Sequence, residues 1–154
     1  MRPVNDFIKL LHPELEIDET LITRSKDRYF LLDDELKKLV GKDFFHAGTY
    51  LGKTKGGRFF PSFTLLTMMA EGKANNVVVD DKTEWLFVCG RDIFREGIKK
   101  VAGARDRGDY TLVLNRHGEC IGFGRVLKNL DKEDENVAIK NISDIGDFLR
   151  RERR

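Results

Sequence analysis

Residues 47–54, AGTYLGKT, have the types and spacing of a phosphate-binding loop: Ala47, four residues, then Gly52-Lys53-Thr54. Such a loop cradles phosphates with backbone N–H groups at a helix N-terminus, while its Lys and hydroxyl reach phosphate and Mg²⁺. Residues 77–80, VVVD, resemble the apolar strand whose last Asp holds that Mg²⁺. The residues after Thr54 argue otherwise. Lys55-Gly56-Gly57 cannot open a helix, because an interior glycine costs about 1 kcal/mol relative to alanine. The next helix begins only after Pro61, and the first loop position is Ala instead of Gly. The segment therefore reads as a strand running into a basic hairpin, and a nucleotide triphosphatase is the disfavoured reading.

Other catalytic groupings are weaker still. His12, His46 and His117 are scattered and read as surface or turn residues. Cys89, His117 and Cys120 could supply three soft ligands, but their spacing matches no closed zinc site, so both cysteines read as small packing residues. Pairs such as Asp33-Asp34 and Asp80-Asp81 read as caps and turns. G-x-S-x-G, H-E-x-x-H and G-x-G-x-x-G are all absent from the sequence. The expectation is a protein that is not an enzyme, with no metal, no cofactor and no small-molecule substrate.

The composition fits a chain that packs a core. Of 154 residues, 40% are hydrophobic and 35% charged, enough apolar surface for one ordinary domain or two small ones. No apolar run approaches the roughly 18 residues of a membrane span. The first 19 residues are too acidic for a secretory signal. Two cysteines make no disulfide framework. These features lead to the expectation of a cytoplasmic protein, nucleolar or nuclear if the source is a eukaryote, with no membrane partner. Net charge is only +2, but residues 91–107 carry six basic side chains against three acidic ones. Such unevenness allows one basic face without blanket nucleic-acid coating.

The elements that must position these residues divide near Asn75-Asn76, giving an expected N-terminal domain over 1–75 and a second over 76–154. In the first, Asn5 is expected to cap a short helix ended by Pro13. Residues 29–32 and 44–51 read as strands around a helix capped by Asp33 or Asp34 and stopped by Gly41. Ser62 caps a helix that stops at Gly72. In the second, VVV and EWLFVCG read as strands. RDIFREGIKKVAG reads as a helix, with Arg91, Arg95 and Lys99 on one face. DYTLVLN and CIGFGRVL form a hairpin around Gly118, VAIKNI is a last strand, and Ser143 caps a final helix burying Ile145, Phe148 and Leu149. The predicted fold class is α+β: an N-terminal antiparallel sheet flanked by helices, then a small β-barrel with an inserted helix.

Residues 77–127 resemble a PUA domain in the Gly90 strand end, Gly97-Ile98, Gly108-Asp109 and the IGFG of 121–124. With HAGTYLGKT, RFFPSFTLLTMMA and SDIGDFLRRE the chain resembles, from about residue 27 onward, the Nip-seven family of large-subunit ribosome-biogenesis factors, as an archaeal-type homologue. The resemblance implies a non-catalytic factor that binds RNA through its PUA domain and acts in pre-rRNA processing or subunit assembly.

The expected RNA-binding residues are Arg91, Lys99 and Lys100 on the inserted helix, Arg125, Lys128 and Lys140 on the barrel, and Arg150 and Arg151 on the last helix. The RNA would be ribosomal, structured or single-stranded and U- or A/U-rich, and other assembly factors are further possible partners. Each basic residue alone has an ordinary explanation: Lys99 and Lys100 suit a helix C-terminus, and Glu96–Lys100 would be an i, i+4 pair. The core aromatics leave Tyr110 as a stacking candidate. Lys53, Lys55 and Arg58 crowd one turn and could touch RNA, a protein partner or water. Two alternatives stay open: a protein-interaction module whose α/β half docks a biogenesis partner, and a PUA accessory protein of tRNA modification.

Overall fold

The computed structural model describes residues 2–32, 48–132 and 135–152, the side chains of 151 and 152 excepted. The chain opens with helix α1 (Pro3–Leu11), whose first turn suits proline because its missing N–H would be unpaired there. Asn5 is not its cap. It lies inside the helix, buried, where its side chain accepts from the Ile17 N–H at 2.8 Å and donates to the Ile17 carbonyl at 2.8 Å. These bonds hold the following segment against α1. His12 is buried instead of exposed, and its Nε2 accepts from the Lys73 N–H at 3.2 Å.

Strands β1 (Ile22–Ser25), β2 (Arg28–Leu31), β3 (Thr49–Lys55) and β4 (Arg58–Pro61) form one antiparallel sheet in that order. The helix expected after Asp33, and His46, lie outside the described residues. Gly56 and Gly57 both take positive φ, +60° and +75°, between the directly paired Lys55 and Arg58. That is the two-residue hairpin turn that matches strand twist, so Thr54 leads into a second strand and the helix a phosphate loop requires is not there. Ser62 then caps α2 (Phe63–Ala70) as expected, accepting from the Leu65 N–H at 3.1 Å.

The second half is a six-stranded curled sheet, a half-barrel, in the order β6-β10-β9-β8-β5-β7. Its strands are β5 (Asn76–Val79), β6 (Ile93–Phe94), β7 (Ile98–Ala102), β8 (Tyr110–Leu114), β9 (Cys120–Val126) and β10 (Val137–Asp144). All pairings are antiparallel except β5 with β8. The inserted helix is real but lies elsewhere: α3 (Asp81–Val88) occupies the stretch read as a strand, and β6, a 3₁₀ turn and β7 occupy the stretch read as a helix. Asp80 caps α3, accepting from the Thr83 N–H at 2.8 Å. The last helix, α4 (Ile145–Glu152), starts from Asp144 in place of Ser143: the Asp147 N–H donates to Asp144 Oδ1 at 2.8 Å. Leu149 on α4 is 56% exposed, contrary to the expected inward position.

Two apolar clusters result. One fills the half-barrel with Val77, Phe87, Ile93, Val113 and Ile139 among others. The other joins the halves, with Ile8, Leu51 and Leu66 from the first against Leu112, Leu114 and Phe123 from the second.

Candidate nucleic-acid interface

The sheet register assembles three pairs of like charges. On β9 and β10, Arg125 and Lys140 are direct cross-strand partners, and Tyr110 of β8 faces Arg125 on the other side. With strands about 4.8 Å apart, the three residues form a row about 10 Å long on one face of the sheet. Both cations are exposed and Tyr110 is half-buried. In the first half, Lys55 and Arg58 face each other across the β3–β4 turn, and Lys53 faces Arg28. Like charges placed directly opposite destabilise a sheet. Among the described residues, none of Arg125, Lys140, Lys55 or Arg58 has a carboxylate ion pair, although Arg58 lies 5.6 Å over the Phe60 ring. An anion bound at either place would relieve that repulsion.

Beside Lys55 and Arg58, which line it, runs a groove of about 750 Å³. Its walls come from α1, the β1–β2 turn, the β3–β4 turn and the sheet face at Tyr110, Phe123 and Ile142. Its floor is a continuous aromatic chain. Phe59 lies 6.1 Å from Tyr29 and 5.5 Å from Phe7, Phe7 lies 5.3 Å from Phe123, and Phe123 lies 6.5 Å from Tyr110. Lys55, Arg58 and Arg24 stand at its edge with Asp6 and Asp27, and the Arg24 guanidinium sits 5.6 Å over Tyr29. Arg125 and Lys140 do not line the groove; Arg125 lies two residues along β9 from Phe123 on the same face, roughly 7 Å further along the strand, and with Lys140 it forms a second cationic rim beyond the lining.

The remaining expected residues are dispersed. Lys99 and Lys100 are exposed on the edge strand β7, four strand positions from Lys140, about 19 Å across a flat sheet. They are not at a helix C-terminus, and Lys99 Nζ lies 4.0 Å from Asp80. Glu96 sits in the 3₁₀ turn, so no helical pair with Lys100 forms. Arg91 follows α3 in an exposed loop, where its carbonyl accepts from Asn141 at 3.3 Å. Lys128 lines a shallow depression with Arg107, Lys132 and Asp106. Arg150 is 3.8 Å from buried Asp144, and the side chain of Arg151 lies outside those described.

Sequence reasoning missed two surface features. Trp85, on the true inserted helix, is 65% exposed and shares its face with Lys82 and Cys89 by helical spacing. It was hidden because that stretch read as a strand. The aromatic floor was hidden because Phe59, Phe7 and Phe123 come from three separate elements. Cys89 is exposed instead of packed, while Cys120 is buried and burial pushes its thiol up to about 11. Asp80 is held below the usual carboxylate range by its hydrogen bonds to Thr83 and by Lys99 and Lys82. It is a helix cap, which accounts for the VVVD match. Among the described residues, no three His, Cys, Asp or Glu side chains converge as metal ligands, and no helix is long and apolar enough to cross a membrane.

A curled mixed sheet with a capped helix between its first and second strands, backed by a helix-flanked antiparallel sheet, is the architecture of a PUA-domain protein. Residues 75–153 match the UPF0113 PUA domain, and the chain belongs to that family. It is 29% identical over 112 residues to a UPF0113 protein of Archaeoglobus fulgidus, covering 70% of this chain and 63% of that protein. The chain thus matches less than two thirds of that relative's length. It is 27% identical over 135 residues to the zebrafish (Danio rerio) 60S ribosome subunit biogenesis protein NIP7 homolog, covering 82% of this chain and 75% of that one. The structure of a PUA domain from Aeropyrum pernix K1, determined as a tartrate complex, superimposes with a TM-score of 0.63 at 16% identity, covering 96% of this chain and 83% of that one.

Proposed function

We propose that the protein is a non-catalytic RNA-binding factor acting in assembly of the large ribosomal subunit. The observation that carries the RNA site is the row Lys140–Arg125–Tyr110, two exposed cations beside a half-buried ring. Two unneutralised cations beside a ring suit a phosphate and its neighbouring base better than they suit the fold alone. The assembly role is supported by family membership and by the relative named for 60S subunit biogenesis. Contacts to phosphate would supply most of the affinity, and unpaired bases would supply selectivity.

The test is fluorescence anisotropy with a 12-nucleotide oligouridylate. Arg125→Glu/Lys140→Glu is expected to weaken binding at least tenfold and to flatten the salt slope by about 1.4, two contacts at roughly 0.7 each for single strands. Lys99→Glu/Lys100→Glu, on the distant edge, is expected to cost less. An unchanged affinity in the first double variant would remove the row from the site. The assembly role is checked separately, by sedimentation of the tagged protein with large-subunit precursors and recovery of precursor rRNA. Migration only as free protein, with no rRNA recovered, would sink it.

A further inference from the structure

We infer that the groove between the two halves holds one unstacked nucleotide of a bound RNA strand, its base on the aromatic floor and its phosphates on the two cationic rims. The inference deepens the RNA-binding reading and rests on it. Three features of the groove converge on this ligand.

The first is size. About 750 Å³ falls within the roughly 300–1,000 Å³ of pockets for small organic ligands, which accommodates a nucleotide and is too small for a helix or a folded partner. The second is lining. Tyr110 and Phe59 are only half-buried and both border the groove, so ring surface is open to it. A flat π face accepts any base, which is how single strands are bound without strict sequence readout. The third is charge. Lys55 and Arg58 line the groove as one like-charge pair, and Arg125 and Lys140 form a second pair just beyond its lining, on the sheet face that carries Tyr110 and Phe123. Asp6 and Asp27 also border the groove, so the cationic character belongs to the rims and not to the whole lining. A strand crossing the groove would place consecutive phosphates on the two rims and turn the base between them inward. A protein segment would meet the same floor, but the rims would then demand carboxylates on both sides of one apolar anchor.

The arrangement also gives Gly56-Gly57 a purpose. The tight turn holds Lys55 and Arg58 side by side, which strand repulsion would otherwise oppose.

The full chain is titrated with two 12-nucleotide probes of equal charge: oligouridylate, and the same backbone without bases. The base-free strand is expected to bind several-fold more weakly. Tyr110→Ala should weaken oligouridylate binding about tenfold, leave the base-free strand unaffected, and be rescued in Tyr110→Phe. Lys55→Glu/Arg58→Glu, on an exposed turn remote from the core, should weaken both probes about tenfold, and thermal melts confirm that each variant is folded. A 4-thiouridine strand should crosslink to residues 54–59 or to Tyr110. Equal binding of both probes, or oligouridylate affinity unchanged in both groove variants while Arg125→Glu/Lys140→Glu still weakens it, would overturn the groove and leave the RNA-binding reading standing. No binding of either probe by the unaltered chain at low salt would remove both.

Discussion

The half-barrel interior and the core joining the two halves share the same strands but use opposite faces of them. On β8, Val113 points into the barrel with Val77, Phe87 and Ile139, while Leu112 and Leu114 point the other way, against Ile8, Leu51 and Leu66. On β9, Ile121 and Val126 lie inside, and Phe123 lies in the joint core. A strand covered on both faces loses its alternation and reads as a continuous apolar run, as TLVL and CIGF do. The cover stops where the row Tyr110–Arg125–Lys140 begins, and there the same sheet face becomes cationic. The groove is the place where the joint core runs out. The two halves are therefore not beads on a linker: the shared core fixes the distance between the rims, which a flexible junction could not do.

The largest test of that claim is Leu112→Ala. Leu112 is fully buried in the joint core, so its truncation should cost about 2–5 kcal/mol. If the halves unfold together, the fluorescence of Trp85, which sits in the half-barrel, and the far-ultraviolet signal of the whole chain must shift to the same urea midpoint. Separate midpoints would show that the halves melt independently and that the joint core is a weak contact.

What the sequence disclosed, and what it hid, follows the same division. Where a face was half-covered, local chemistry was decisive: Ser62 capped its helix and Gly56-Gly57 made its turn. The reversal of the helix and strands over 81–102 has a physical cause. EWLFV is rich in residues that favour strands, yet Asp80 caps it and Phe87 anchors it in the barrel. IFREGIKKV has helical spacing, but a Cβ on Gly97 would strike the Thr83 hydroxyl. That close approach pins the 3₁₀ turn under α3, and Arg95 ties it further by donating to the Leu130 carbonyl at 2.7 Å. Tertiary packing overrode both local preferences. Of the expected basic residues, register alone could pair Arg125 with Lys140, since pairing depends on which strands are neighbours. The groove floor was illegible because its rings meet only after the halves dock.

Asn75 offers an intermediate test at the junction itself. It is buried, its N–H donates to the Leu11 carbonyl at 2.7 Å, and its carbonyl accepts from the Leu112 N–H at 2.9 Å. Its side chain accepts from the Ala104 N–H at 3.1 Å and donates to the Tyr110 carbonyl at 3.3 Å. The boundary residue thus touches α1, β8 and the loop after β7 at once. Asn75→Ala strips the two side-chain bonds and leaves the half-buried Ala104 N–H unpaired, an expected loss of about 1–3 kcal/mol by chemical denaturation. Because one of those bonds ends at Tyr110, hydrogen exchange at β8 should quicken as well. Unchanged stability and exchange would make the junction a passive tether.

The smallest expected effect belongs to Asp80, which lies within the half-barrel and not at the joint. Its carboxylate is held below its ordinary range chiefly by the Thr83 hydrogen bonds, with Lys99 and Lys82 assisting. A depressed folded-state value means the native protein holds its charge more readily than the unfolded chain does. The resulting stabilisation is full above the unfolded carboxylate pKa, near 3.9, and disappears as pH falls through the lower folded-state value. Removing the cap with Asp80→Ala should cost about 1 kcal/mol at pH 7. Asp80→Asn keeps an acceptor for the Thr83 N–H and should lose only a few tenths, so comparing the two separates hydrogen bond from charge. Urea midpoints at pH 7 and pH 3 are the measurement. The gap between Asp80→Asn and the unaltered chain should narrow at the lower pH, whereas a gap that is the same at both would assign Asp80's contribution to geometry alone.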